Sequence, residues 1–478
     1  MFESQIFSKL VKKGQPTAEV VEFNDFIVVT SLLPGVKVHS EVIFAGGAQG
    51  VVWQLNADSL QILLLNSELV RAGELVTILN AELSLGVGKK LLGRVVSPLG
   101  RPLDGKGFVP STQVSPYFRA APPFRDRAMV QEQLESGVTV VDTLLPLVKG
   151  QRMAIMGDSK SGKTSFLSQV AIHQAQAGQL VVYVLIAKPR AELNRLVKMF
   201  NESGVMKNMV MVVADSMDPL AVGFLAPYAG CAVAESLWYG GQDVIVIYDD
   251  FSNHAKIYRE MALLVDQNVG REAYPGDMFH VHSALLERAG KLAKTNSAQT
   301  VFAVGTTPNN DLTGYQATSL ISMSDGQIVF DLETMHQGEH PAINVGLSVS
   351  RVGGRSLQPS MQEIVVSVRK EMSRYQTALD YTRFGDQSSQ VAQHEIAMGE
   401  RINEVFRQES GENYSLAQQR LMLEVVLRLE SPRNFDVAWL KNEVAKIKIP
   451  AKPTDEQYAS LASQLLKNGT KIQTEVAK

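Results

Sequence analysis

The sequence predicts a multi-domain chain: a small N-terminal β-barrel, a central α/β core built on a parallel sheet, and a C-terminal bundle of α-helices. Three observations predict it. Short β-rich runs punctuated by glycine turns occupy residues 17–92. Continuous apolar runs alternating with helical stretches occupy residues 93–361, and only helical periodicity remains over residues 362–478. A short segment, residues 1–16, precedes the barrel.

Length and composition set the frame. A chain of 478 residues suggests about three domains and buries a large core. Its formal net charge of −3 supplies no global attraction for nucleic acid or an anionic membrane, so no nucleic-acid partner is expected. The single cysteine, Cys231, excludes an intramolecular disulfide framework and a thiolate-rich zinc cluster. Set among Ala229, Gly230, Ala232 and Val233, it reads as a small buried helix residue. No uninterrupted apolar run approaches the roughly 20 residues that span a bilayer. The first residues, MFESQIFSKLVKKG, contain no signal-peptide core. A soluble intracellular protein, or one peripheral to a membrane complex, is expected.

In the first segment Phe2, Ile6, Leu10 and Val11 recur at near-helical spacing, which suits either a short docking helix or a frayed terminus. The barrel is read from Phe26–Thr30, Gly50–Trp53 and Leu60–Leu64, separated by turn signals at Leu33-Pro-Gly-Val36 and Ala45-Gly-Gly47. A proline- and glycine-rich linker, Ser97 to Pro123, follows. Beyond it, buried-type strands are expected at Leu180–Ala187, Met209–Val213, Val244–Tyr248 and Val301–Val304, covered by helices on both faces. Helices such as Met372–Leu379 and Ser415–Leu429 make up the last segment.

Within the core, Gly157-Asp158-Ser159-Lys160-Ser161-Gly162-Lys163-Thr164 fits the phosphate-loop pattern. Its glycines let the backbone curl so that several N–H groups point inward at a polyphosphate. Lys163 would reach the outer phosphates, and the Thr164 hydroxyl would hold a magnesium ion. Ser165, next in line, belongs to the same nucleotide-binding set. The context agrees: Met153–Met156 reads as a buried strand, while Leu167, Val170 and Ala171 share one helix face. A second carboxylate for the metal is expected at the end of a neighbouring strand. Asp249 of Tyr248-Asp-Asp250 is the better placed of the two acids.

Hydrolysis also needs a group that orients or deprotonates water, typically a glutamate ending the strand after the phosphate-loop helix. Here that strand ends Leu185-Ile-Ala-Lys-Pro-Arg190, and no carboxylate occurs before Glu192. Neither lysine nor proline can serve water as a carboxylate does.

Gly137-Val-Thr-Val-Val-Asp142, Gly150-Gln-Arg152, the phosphate loop, Tyr248-Asp-Asp250, Gly270-Arg-Glu-Ala-Tyr-Pro-Gly-Asp277, Leu285-Leu-Glu-Arg288 and Pro341-Ala-Ile-Asn-Val-Gly-Leu-Ser-Val-Ser-Arg-Val-Gly353 together resemble the alpha subunits of F-type rotary ATP synthases. The resemblance runs from about residue 17 into the C-terminal helices. Its last segment separates alpha subunits from catalytic beta subunits and from flagellar and secretion ATPases. It implies a RecA-like core in an alternating ring of three alpha and three beta subunits. The further partners implied are a central-stalk gamma subunit, a peripheral-stalk delta-type subunit and a membrane ion-channel sector. The complex would face the cytoplasm, or the matrix in a mitochondrion. ATP or ADP with magnesium would sit at a non-catalytic alpha site.

Carried over by position, Arg351 matches the alpha arginine that reaches the ATP held by a beta subunit, an arginine finger. Ser348 matches a serine of the same interface segment, in a supporting role. Gln408 falls in the loop that carries glutamines near the adenine. Lys188 stands where alpha subunits carry glutamine, adding a positive charge expected near the phosphates. Further departures are His340 for an arginine, Met335 for an aromatic residue, a longer Glu409-Ser-Gly-Glu-Asn413, and an N-terminal helix limited to residues 2–12. A catalytic ring ATPase of beta or protein-export type would need the missing carboxylate. A hexameric RNA translocase of the Rho kind would need a basic, aromatic-rich barrel.

Overall fold

The computed structural model describes residues 2–24, 26–111, 113–383, 390–409, 411–450 and 453–476. They fold as two compact units, one comprising residues 1–129, 178–307 and 311–324, the other residues 130–177, 308–310 and 325–478.

The first unit begins with helix Phe2–Lys12, whose Phe7 is buried and whose Ser4 Oγ donates to Gly46 O at 3.0 Å. Those contacts dock the helix on its own barrel. Six strands follow: β1 (Thr17–Asn24), β2 (Ile27–Ser31), β3 (Glu41–Phe44), β4 (Gln49–Leu55), β5 (Ser59–Leu64) and β6 (Leu75–Asn80). They close in the order β1-β2-β5-β4-β3-β6, with β6 returning to pair antiparallel with β1 at Thr17–Thr77. Closure leaves no free edge. Inward residues such as Val28, Val42, Phe44, Val52, Leu60, Ile62 and Val76 fill the interior.

The same unit carries parallel strands in the order Ala298–Thr306, Val244–Asp249, Leu180–Lys188, Met209–Asp215 and Arg94–Val96. The central residues of these strands are apolar and buried, as the sequence predicts for a sheet covered on both faces. Register sets Leu185 opposite Asp249, so the end of Leu180–Lys188 runs past the end of Val244–Asp249.

Helix Leu220–Trp238 agrees with the expectation of no unbroken apolar run of spanning length, because Glu235 and Ser236 interrupt it. It has 19 residues and a mean hydropathy of 1.5, long and apolar enough to cross a membrane, yet 89% of it is buried within this protein. It packs on Leu180–Lys188, Met209–Asp215 and Val244–Asp249. The approach is so close that a Cβ on Gly230 would lie 2.2 Å from Val184 Cγ2. Cys231 lies in this helix, fully buried as expected, and burial pushes its thiol up to about 12.

In the second unit, strand Arg152–Gly157 runs parallel to Gly326–Phe330, which pairs antiparallel with the short strand Val349–Ser350. Helix Lys163–Gln176 follows the phosphate loop. The C-terminal segment is helical: Pro359–Arg383, Gln390–Phe406, Leu416–Leu427, Val437–Lys446 and Asp455–Val476. Ser415 starts the third of these through a reciprocal capping box with Gln418, as the pattern of serine and glutamine three apart requires. Leu421, Met422, Val425 and Val426 are its buried face. The architecture is therefore the expected one: N-terminal barrel, parallel-sheet nucleotide-binding core, C-terminal helices.

Candidate nucleotide site and a displayed arginine

Strand Arg152–Gly157 delivers the chain into the phosphate loop, and helix Lys163–Gln176 takes it out. Gly157 has φ 150°, and a Cβ there would lie 2.7 Å from Phe330 O and 2.8 Å from Ser161 Oγ. Only glycine fits this crossing. Gly162 turns the chain in the left-handed region at φ 100°, and Lys160, not a glycine, also adopts φ 63°. The curled backbone ends at a helix N-terminus, where unused N–H groups and the helix dipole favour an anion. Lys163 Nζ donates to Gly157 O (2.8 Å) and Asp158 O (2.6 Å). Asp158 is turned onto the backbone, accepting from Ser159 N at 2.6 Å and Asn309 N at 2.8 Å. Ser159, Lys160 and Ser165 are exposed, while Thr164 is half-buried in the first helical turn. Ser161 Oγ is buried without a hydrogen bond. A cradle of N–H donors with an orphaned hydroxyl fits a polyphosphate.

The end of strand Leu180–Lys188 is arranged differently from the expectation. Lys188 Nζ lies 2.7 Å from Asp249 Oδ1 and 2.9 Å from Asp250 Oδ2. Tyr183 donates its hydroxyl to Asp249 Oδ2 at 3.2 Å, and Asp250 Oδ1 caps helix Phe251–Leu264 by accepting from Asn253 N at 2.6 Å. Burial opposes the Lys188 charge, but Asp249 and Asp250 outweigh it and raise its pKa above the usual lysine value. Burial likewise pushes Asp249 up, against the pull of Lys188. At 2.7 Å the pair is read as ionised. The positive charge expected beside phosphates is thus committed to two carboxylates. Both Asp249 oxygens are thereby engaged, one by Lys188 and the other by Tyr183. Among the described residues no group of three or more His, Cys, Asp or Glu could hold a metal ion.

Gln408 is buried with both ends of its amide engaged. Its Oε1 accepts from Thr139 N at 2.6 Å, and its Nε2 donates to Gly137 O and Glu412 O, each at 3.0 Å. It ties the C-terminal loop to the segment before the phosphate-loop strand. Ser410 of that loop lies outside the described residues.

Arg351 is exposed on the turn after Val349–Ser350. The turn is fixed from three sides. Arg351 N donates to Asp325 O at 3.0 Å, and Asp325 is gripped bidentately by Arg152 at 2.6 and 3.0 Å. Ser350 Oγ donates to Pro146 O at 2.6 Å, and a Cβ on Gly353 would lie 1.8 Å from that same oxygen. Ser348 is buried, its Oγ donating to Asn344 O (2.6 Å) and accepting from Val329 N (2.9 Å). It pins the segment to strand Gly326–Phe330. Sequence reasoning missed Asp325, Pro146 and Asn309 because each acts through its backbone or through a partner far along the chain. The Gly150-Gln-Arg152 motif and the glycine pair after Arg351 were the available signals.

Residues 137–350 match the family model of the ATP synthase alpha/beta family, nucleotide-binding domain. The chain is 38% identical to ATP synthase subunit alpha of Dictyoglomus thermophilum over 84% of this chain and 79% of that protein. With the Aquifex aeolicus subunit alpha it shares 34% identity over 92% of this chain and 91% of the relative. Similarity to the Neorickettsia sennetsu subunit alpha is 35%, over 88% and 84% respectively. The chain therefore belongs to the ATP synthase subunit alpha family.

Proposed function

We propose that this chain is a non-catalytic nucleotide-holding subunit of a rotary ATP synthase that completes the catalytic site of a neighbouring subunit. ATP or ADP is held by residues 157–165, with Lys163 and the loop N–H groups on the phosphates and the Thr164 hydroxyl facing them. The observation that carries this reading is the Lys188–Asp249–Asp250 cluster: where hydrolysis requires a base, the strand ends in a lysine paired to acids. Such a group cannot accept a proton from water.

Arg351 acts in trans. Its fixed, exposed turn suits a side chain that must reach another molecule, where a planar charged fork stabilises charge spreading over the transferred phosphoryl group. Ser348 and Asp325 hold that turn. The partners are beta subunits alternating with this chain in a six-membered ring, a gamma-type central stalk, a delta-type peripheral stalk and a membrane ion-channel sector, so the complex is peripheral to a membrane. The purified chain is expected to bind ATP without turning it over; brisk hydrolysis by the chain alone would sink the reading. In the assembled ring, Arg351→Ala is expected to lower turnover by about 10³-fold or more while nucleotide binding by the partner persists. Near wild-type turnover in that variant would refute the finger.

A further inference from the structure

We propose that the nucleotide site of this chain is blind to the base: it takes nucleoside triphosphates as a class, held by their polyphosphate, and Gln408 is a structural tie that does not read adenine. The inference rests on the nucleotide-holding reading above and names the class of ligand for that site.

Two segments of the second unit flank the phosphate loop. Residues 331–340 follow strand Gly326–Phe330, whose Phe330 packs on Phe166 of the loop's helix with ring centroids 5.5 Å apart. Residues 407–414 meet the same helix at Gln169, whose Nε2 donates to Glu412 O at 2.5 Å and to Asn413 Oδ1 at 3.1 Å. The two segments are also joined to each other. Gln408 N donates to His340 O at 2.7 Å, and Arg407 Nη2 donates to Glu339 Oε1 at 3.1 Å.

Reading adenine by hydrogen bonds takes a donor and an acceptor side by side, as the amide of Asn or Gln offers. Gln408 carries that group, but the protein itself consumes it. Its Oε1 accepts from Thr139 N, the first N–H of helix Thr139–Leu144, and its amide hydrogens go to Gly137 O and Glu412 O. These partners fix the orientation of the amide, because a backbone N–H only donates and a carbonyl only accepts. Gln408 is 4% exposed, so turning it toward a base would strand buried backbone groups without partners. Asp331 is committed as well. One of its oxygens accepts from Asn310 Nδ2 at 2.6 Å and Glu333 N at 3.2 Å, and the other from Thr334 Oγ1 at 3.0 Å.

The same stretch offers two half-buried side chains, Met335 and His340. A flexible thioether packs on any ring. An imidazole donates or accepts according to its tautomer, so it meets the amino group of adenine or the carbonyl of guanine alike. Strong discrimination comes from polar groups that a wrong ligand leaves unpaired; here those groups are already paired within the protein.

The test uses the full chain and isothermal titration calorimetry with ATP, GTP and CTP, each in excess magnesium. The three affinities are expected to agree within about fivefold. A larger spread among them overturns the inference and leaves the nucleotide-holding reading standing. Absence of binding by all three overturns that reading and the inference with it. Gln408→Ala supplies a second readout. Its melting temperature is expected to fall, while the ratio of ATP to GTP affinity stays within about twofold of the wild-type ratio. A Gln408→Ala chain that loses ATP and keeps GTP overturns the inference. Should that variant fail to fold, the three wild-type titrations still decide.

Discussion

Gly353→Ala tests whether the arginine finger proposed at Arg351 depends on a turn that is held still. A Cβ on Gly353 would lie 1.8 Å from Pro146 O and 2.4 Å from Ser350 Oγ. A carbon and an oxygen rest at about 3.3 Å, so the turn and residue 146 must part by roughly 1.5 Å. That breaks the 2.6 Å bond from Ser350 Oγ to Pro146 O. Loss of the bond and overpacking together cost about 1–3 kcal/mol of stability. Arg351 lies two residues away on the same turn and moves with it. A misplacement of about 1 Å at a reacting centre lowers rate about a hundredfold. The assay is steady-state ATP hydrolysis by rings assembled from the variant and its beta partner, beside a melting curve and a titration of nucleotide on the partner. The expected result is a lower melting temperature, turnover reduced about a hundredfold, and partner binding unchanged. Turnover within about threefold of wild type, with the melting temperature lowered, would show that the turn moves without consequence and would refute the rigid-mount argument.

Two further predictions concern the first unit. Arg288 and Glu235 form a bidentate pair at 2.8 Å on both arms, 2% and 0% exposed, with Arg288 also donating to Tyr117 O at 2.6 Å. Arg288→Met should lose about 3–5 kcal/mol in urea unfolding, and adding Glu235→Gln should restore a large part; a single variant as stable as wild type would contradict this. His254 and His282 are buried with ring nitrogens 2.9 Å apart, and His254 Nε2 lies 3.0 Å from Phe224 O. Burial pushes His254 down to about 4, and burial, then the neighbouring His254 imidazole against which a second proton would be repelled, lowers His282 well below its usual range. Both are neutral when folded, so the unfolded chain binds more protons as pH falls through about 6.5. Stability present at pH 7 is therefore lost toward pH 4, about 2 kcal/mol at pH 5 from His254 alone. Melting curves of wild type and His254→Gln across that range should differ in slope, and equal slopes would dismiss the pair as the cause.

The parts of this protein that follow local rules were legible in the sequence. Glycine turns between alternating residues fixed the barrel strands, and the phosphate loop declared itself because glycine, lysine and threonine at set spacing answer to backbone geometry alone. Lys188 was visible as an anomaly, yet its partners were not. The slip at Ala187 that swings it onto Asp249 and Asp250 depends on how neighbouring strands pair, which no periodicity encodes. Gln408 was read from its loop as lying near the nucleotide; its bonds to Thr139 and Gly137 arise from the packing of distant segments, which the loop sequence does not encode. Helix Leu220–Trp238 was not assigned from periodicity because it is apolar on nearly every side, which leaves no polar face to mark it.

That helix also bears on how the chain is made. One strand on which it rests, Val244–Asp249, comes after it in the sequence, so the ribosome releases an apolar segment of membrane-spanning length before its cover is complete. Synthesis proceeds at about 5–20 residues per second, which leaves the segment uncovered for that interval. Pro227 and the glycines at 223 and 230 are costly for folding any helix in isolation. They favour waiting for the strands, and Gly230 is the position where Val184 then seats.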